Sequence, residues 1–78
     1  MYWEQDLIKY LESESSDKLY LDGATPLEVG ILLEELGYEC VHYISGVSTV
    51  VKYFKKDSVE FELCIDVDCF IVYIRRVN

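Results

Sequence analysis

No two cysteines in this chain are spaced C-x-x-C, and the three present, Cys40, Cys64 and Cys69, are an odd number. A disulfide framework is therefore not expected; free thiols in a reducing, cytoplasmic compartment are. Glycine is scarce and isolated, at positions 23, 30, 37 and 46, which leaves no glycine-rich loop to cradle a phosphate. The longest apolar run, Cys69 to Ile74, is far too short to cross a bilayer, and the start MYWEQD lacks the basic and apolar regions of a secretory signal. Repeats, linkers and low-complexity tracts are also missing. The remaining scarcity is positive charge: seven Lys and Arg stand against fifteen Asp and Glu, for a net charge of -8.

What is present is apolar material. Hydrophobic residues make up 51% of the chain and aromatics 14%, enough to fold in spite of the charge. At 78 residues one core is all that can be built, and a domain of this size hides roughly 60% of its unfolded surface. The expectation is a single acidic domain spanning residues 1–78.

Periodicity divides that domain in two. Between Tyr2 and Glu14 the residues Trp3, Leu7, Ile8, Tyr10 and Leu11 recur at helical spacing, opposite Glu4, Gln5, Lys9 and Glu12. Ser13 to Asp17 ends this helix, and Lys18 to Leu21 is expected to form a short edge strand before a turn at Asp22 and Gly23. In TPLEVGILLEELGY, Thr25 is placed to cap a second helix, Pro26 suits its first position, and Glu28 completes a capping box. Val29, Leu32, Leu33 and Leu36 make its buried stripe, and Gly37 supplies a left-handed stop that lets Tyr38 fold back on Leu33.

After Gly37 the period falls to two. Strands are expected at roughly Tyr38 to Ile44, Val47 to Lys55, Val59 to Asp66 and Cys69 to Arg76, joined too tightly for helical crossovers. The fold class is α+β: two helices packed on a four-stranded antiparallel meander, with a short extra edge strand. A two-residue turn at Ser45 and Gly46 would place Glu39 opposite Lys52 and Cys40 opposite Val51. A three-residue loop, Lys56 to Ser58, would set Lys52 beside Glu62, keeping its charge out of the core. A four-residue loop, Asp66 to Cys69, would pair Leu63 with Val72 and Glu60 with Arg75. The inner face would then hold Tyr38, Cys40, His42, Val47, Val51, Tyr53, Phe61, Leu63, Ile65, Phe70, Val72 and Ile74. The outer face would hold Glu60, Glu62, Cys64 and Asp66, with Val41, Tyr43, Val50, Phe54, Ile71 and Tyr73. That is too apolar for a fully solvated sheet, so either the first helix crosses to cover part of it or a partner or second copy does.

Charge is distributed unevenly along the chain. Residues 1–39 hold ten acids against Lys9 and Lys18, whereas residues 40–78 hold five acids and five bases. A one-sided negative field attracts basic partners and repels nucleic acid and anionic membrane, so direct nucleic-acid or membrane binding is not expected. The same field also serves solubility.

Catalytic and metal chemistry find little support. Cys40 and His42 share a strand face in the expected register, but lie roughly 7 Å apart on a flat strand, beyond hydrogen-bond reach. Cys64 and Cys69 would point the other way, so no tetrahedral zinc site assembles. No cleft is indicated that would desolvate Glu60 and Glu62, or Glu34 and Glu35, and so separate their acid and base roles. Trp3 and the seven tyrosines lack interleaved basic residues for nucleic-acid stacking.

The expected function is therefore non-enzymatic binding, with no cofactor and no metal. The partner would be a larger protein with a basic, nucleic-acid-binding surface, inhibited or neutralised in the manner of a phage anti-defence or toxin-immunity protein. Expected contacts are Glu12, Glu14, Asp17, Glu28, Glu34 and Glu35, with Tyr43, Phe54, Ile71 and Tyr73 as apolar interface. The alternative is a homodimer formed through the outer sheet face.

Overall fold

A computed structural model describes residues 3–14, 17–69 and 71–77. Elements follow in the order α1 (Trp3–Glu12), β1 (Lys18–Tyr20), α2 (Pro26–Glu35), β2 (Glu39–Ser45), β3 (Thr49–Lys56), β4 (Val59–Asp66) and β5 (Ile71–Arg76). The strands form one antiparallel sheet in the order β1-β5-β4-β3-β2, a four-stranded meander with β1 added at the β5 edge. Tyr2 and Phe70, given roles in the sequence reading, lie outside the described residues.

The second helix is built as its sequence dictates. Thr25 accepts from the Glu28 backbone N–H and the Glu28 carboxylate accepts from Thr25 N–H, both at 3.3 Å, closing the capping box. At the other end Gly37 takes φ +97, Gly37 N–H donates to Glu34 O at 3.0 Å and Tyr38 N–H to Leu33 O at 2.9 Å. These two bonds satisfy orphan helix carbonyls in a Schellman arrangement. Lys56, reaching over from β3, donates from Nζ to Leu36 O at 2.9 Å, placing a cation at the negative end of the helix dipole.

Both helices pack on the same side of the sheet. Trp3, Leu7 and Tyr10 of α1 join Val29 and Leu33 of α2 over Phe54, Phe61, Leu63, Ile65, Val72 and Ile74 in one buried cluster. The first helix does not cross to the outer face. Tyr10 locks this layer down: its hydroxyl accepts from Arg76 N–H at 3.0 Å and donates to the Asp17 carbonyl, tying α1 to β5 and to the entry of β1. Its ring meets Phe61 at 5.8 Å, and Tyr38 meets Phe61 from the other side at 5.7 Å.

The register departs from expectation in β2 and β3. The β3–β4 connection is a two-residue turn, Asp57 and Ser58, so Lys56 pairs with Val59, Phe54 with Phe61 and Lys52 with Leu63. Asp57 makes this possible by taking φ +57, a region in which Asp is better tolerated than most residues. One residue of slip inverts the whole strand. Phe54 and Val50 turn inward, with Phe54 2% exposed, while Val51 and Tyr53 turn outward. Lys52 lies on the helix side, opposite Leu63 and Tyr43, rather than beside Glu39 and Glu62. Burying Phe54 is worth roughly 2–3 kcal/mol, and a lysine can line an apolar face while its ammonium reaches water, so this register wins.

At the β2–β3 hairpin the loop is longer than two residues. Ser45 pairs with Val50 and Glu39 with Lys55, with a bulge between Cys40 and His42. The bulge puts Cys40 on the helix side and His42 on the outer side, stacked on Tyr53 at 5.9 Å. Val47, expected inside, is fully exposed in the loop, and Tyr43 falls on the helix side. Strands β4 and β5 keep their expected faces but shift by two: Leu63 pairs with Ile74, and Arg75 meets Glu62 rather than Glu60.

Candidate protein-binding surface

The helical layer carries the negative charge. All ten acids of residues 1–39 are exposed, and six of them, Glu4, Asp6, Glu12, Glu28, Glu34 and Glu35, stand on α1 or α2. Among the described residues the ion pair Arg75–Glu62, at 2.8 Å, lies in the sheet half. Lys9 is the cation carried by α1, and α2 carries none.

Between the helices runs a shallow groove of about 230 Å³ lined by Trp3, Glu4, Glu28, Ile31, Leu32 and Glu35. Its floor is apolar and its rim carries three carboxylates. On the other flank of α2 a smaller depression of about 120 Å³ is lined by Leu27, Ile31 and Glu34 of the helix together with Cys40, Lys52 and Phe54 of the sheet. Leu27 and Ile31 are 72% and 47% exposed, four residues apart on the outward side of α2. The helix thus presents a short apolar ridge with Glu28, Glu34 and Glu35 beside it.

The sequence-predicted contacts do not form one surface. Glu28 and Glu35 share the interhelical groove, and Glu34 flanks the same ridge. Glu12 lies apart, in a depression with Leu11, Leu36, Tyr38 and Lys56; Glu14 and Asp17 belong to the connection from α1 to β1. Tyr43 stands exposed on the helix side of the β2 edge, Ile71 and Tyr73 are on the outer sheet face, and Phe54 is core. Phe54 therefore makes no exposed interface: the one-residue slip of β3 turned it inward.

Leu27, Ile31 and Glu4 were not among the contacts expected from sequence. The signal was available, because PLEVGILLEE has apolar residues outside its buried stripe, more than a helix covered on one side needs.

The row of carboxylates on β4 is answered mostly by local partners. Glu62 is held by Arg75 and accepts from Tyr53 OH at 3.1 Å, while Glu60 lies opposite Lys55. Asp66 accepts from the backbone N–H groups of Asp68 and Cys69 at 3.0 and 3.3 Å, shaping the β4–β5 turn. These contacts raise the Tyr53 pKa, chiefly because its proton is shared with Glu62. Tyr73 is pushed up to about 12, first by its hydrogen bond with Cys64 and then by burial. Tyr38 is raised by burial.

The Cys40 thiol donates to the His42 backbone carbonyl at 3.7 Å, and the His42 imidazole is on the opposite face. Among the described residues no group of three or more His, Cys, Asp or Glu is placed to hold a metal ion, and no helix is long and apolar enough to cross a membrane. No protein-family model, curated protein or solved structure matches this chain.

Proposed function

We propose that this protein is a non-enzymatic binder that docks its helical layer on the basic surface of a larger protein and so inhibits or neutralises it, as phage anti-defence and toxin-immunity proteins do. The observation that carries the reading is the exposed set of helix carboxylates around the uncovered apolar ridge of Leu27 and Ile31. Such a surface supplies both halves of an interface: an apolar centre that gains from desolvation, and a like-charged rim that steers approach and rejects acidic competitors. A nucleic-acid-binding groove is the matching chemistry, since carboxylates spaced along a helix can take the place of phosphates.

The test is capture from the native host or its prey, followed by association kinetics against salt. Wild-type association should slow steeply as salt rises. The double variant Glu34→Lys, Glu35→Lys should associate at least about tenfold more slowly and lose most of that salt dependence. An unchanged rate would remove electrostatic docking.

A further inference from the structure

We propose that the outer face of the sheet is a self-association surface, and that its occupant is a second copy of this chain. The argument is independent of the helical-layer docking. With both helices on the inner side, the outer face is uncovered by any described element. The register lays one continuous row across all five strands: Tyr20 beside Tyr73, Tyr73 opposite Cys64, Cys64 opposite Val51, and Val51 opposite Ile44. No charged residue belongs to it, and the Lys18 ammonium from the neighbouring row lies 4.6 Å over the centroid of the Tyr73 ring. Tyr20 and Ile44, at its ends, are 57% and 52% exposed, and the Tyr20 and Tyr73 rings meet at 5.6 Å.

The neighbouring row is Lys18, Arg75, Glu62, Tyr53 and His42, in which Glu62 is already neutralised by Arg75 and hydrogen-bonded to Tyr53. Covering a pair already matched in charge costs less than covering lone charges, although Arg75 Nε has no hydrogen-bond partner among the described residues.

Charge selects the occupant. The outer face holds Lys18, Lys55 and Arg75 against Glu39, Glu60, Glu62 and Asp66, close to balance, so it has no field with which to recruit a strongly basic or acidic partner. A second copy brings an equally balanced face. Packing sheet on sheet points the two acidic helical layers away from each other, roughly 30 Å apart for layers about 10 Å thick, well beyond the Debye length of about 8 Å. Repulsion between two molecules of charge -8 is then largely screened. Area also fits. Five strands spaced about 4.8 Å apart and averaging about six residues give a face of roughly 24 by 20 Å. Two such faces have a combined area of about 960 Å², close to the roughly 1,000 Å² that separates a weak specific interface from a casual contact. A dimer of micromolar strength is expected, not an obligate one.

The experiment is sedimentation velocity across a dilution series of the full chain, from about 1 to 200 µM, at low and high salt; the span brackets the affinity expected of a minimal interface. The average mass should double over this range, and raising salt should leave the transition in place or strengthen it. Val51→Lys and Tyr20→Lys should each move dissociation to at least about tenfold higher concentration. Both lower the net negative charge, so loss of the dimer could not be ascribed to added repulsion. Tyr20 is an exposed edge residue, so its variant tests the face even if Val51→Lys does not fold. A single-copy mass at every concentration would overturn the proposal, as would a dimer indifferent to Tyr20→Lys. So would a monomeric chain whose captured protein partner is lost on Tyr20→Lys, because the face would then belong to that partner.

Discussion

Phe54 and Tyr53 are adjacent residues that decide the register of the sheet. Phe54 is 2% exposed, pairs with Phe61 and lies near Gly30, where an added Cβ would be 3.8 Å from the ring edge. Tyr53 is on the other side, holding Glu62 through its hydroxyl and stacking on His42. Truncating a buried phenylalanine to alanine removes its transfer energy and leaves a cavity, together about 3–5 kcal/mol. At about 0.05–0.15 kcal/mol per residue a domain of this size has roughly 4–12 kcal/mol in total, so Phe54→Ala would consume much of it. Phe54→Leu, at about 1–2 kcal/mol, keeps the protein measurable. Tyr53→Leu replaces a partly exposed ring with an apolar side chain and should cost less than half as much. Urea unfolding followed by the fluorescence of Trp3, the single tryptophan, 8% exposed in the core, reads both variants. The three-residue loop that spacing suggested would put Tyr53 inside and Phe54 outside, and it predicts the reverse order. If Tyr53→Leu lowers stability more than Phe54→Leu, the two-residue turn at Asp57 and Ser58 is wrong.

Two further outcomes follow from the caps and the outer face. Gly37→Ala forces a side chain into φ +97 and brings its Cβ to 3.3 Å from Lys56 Cε. It should lower stability by about 1–2 kcal/mol in urea unfolding, and by more than Gly23→Ala, where φ is +80 but nothing lies within 4 Å; equal losses would show that Lys56 contributes nothing there. In an ultraviolet titration, Tyr73 should ionise near pH 12. Because its folded pKa lies above the ordinary value of about 10, its contribution to stability is complete below pH 10 and is lost as pH rises from about 10 to 12. Cys64→Ala should bring the Tyr73 ionisation down, and an unmoved titration would refute the Cys64 hydrogen bond as its main cause.

Much of the architecture could be read from residue order because local chemistry specified it. Thr25, Pro26, Glu28 and Gly37 mark both ends of α2 by hydrogen bonds that close within a few residues. The alternation from Val59 to Ile65 fixed the faces of β4, and β5 followed. Strands β2 and β3 were less legible because they carry apolar residues at successive positions, as in VVKYF and VHYI, so either parity places hydrophobic groups inside. The choice then rested on keeping Lys52 out of the core, a rule that a snorkelling lysine evades. Turn length decided the matter, and Asp57 at positive φ is a signal weaker than an Asn-Gly or Asp-Gly pair. Charge segregation needed no register and survived the error. An apolar outer face carrying Cys64 and Tyr73 was legible; that Tyr20, Val51 and Ile44 complete the row was not, because it depends on the register of every strand at once.

The two halves of the molecule carry charge differently for a physical reason, and the exception to it singles out Glu34 and Glu35. On a sheet each side chain has a direct neighbour about 4.5–5.5 Å away, so Glu62 and Glu60 of β4 are matched by Arg75 and Lys55. A helix surface has no such obligation. Within α1 and within α2 no two acids stand three or four residues apart, the spacing at which like charges repel. Glu4, Asp6 and Glu28 sit in first turns, where the helix dipole favours them. Glu34 and Glu35 do not: they occupy the last turn of α2, beside carbonyls that repel a carboxylate, in a helix with no basic residue of its own there. A cation at either position would suit the dipole better by about 0.3–1 kcal/mol, and Lys56 on Leu36 O only partly offsets the misplacement. Residues that break a local rule without local gain point to a role outside the fold. The Glu34→Lys, Glu35→Lys variant should therefore be at least as stable as the wild type while binding its basic partner poorly. If the reversal destabilises the domain, these two acids are structural and the ridge of α2 is not the docking surface.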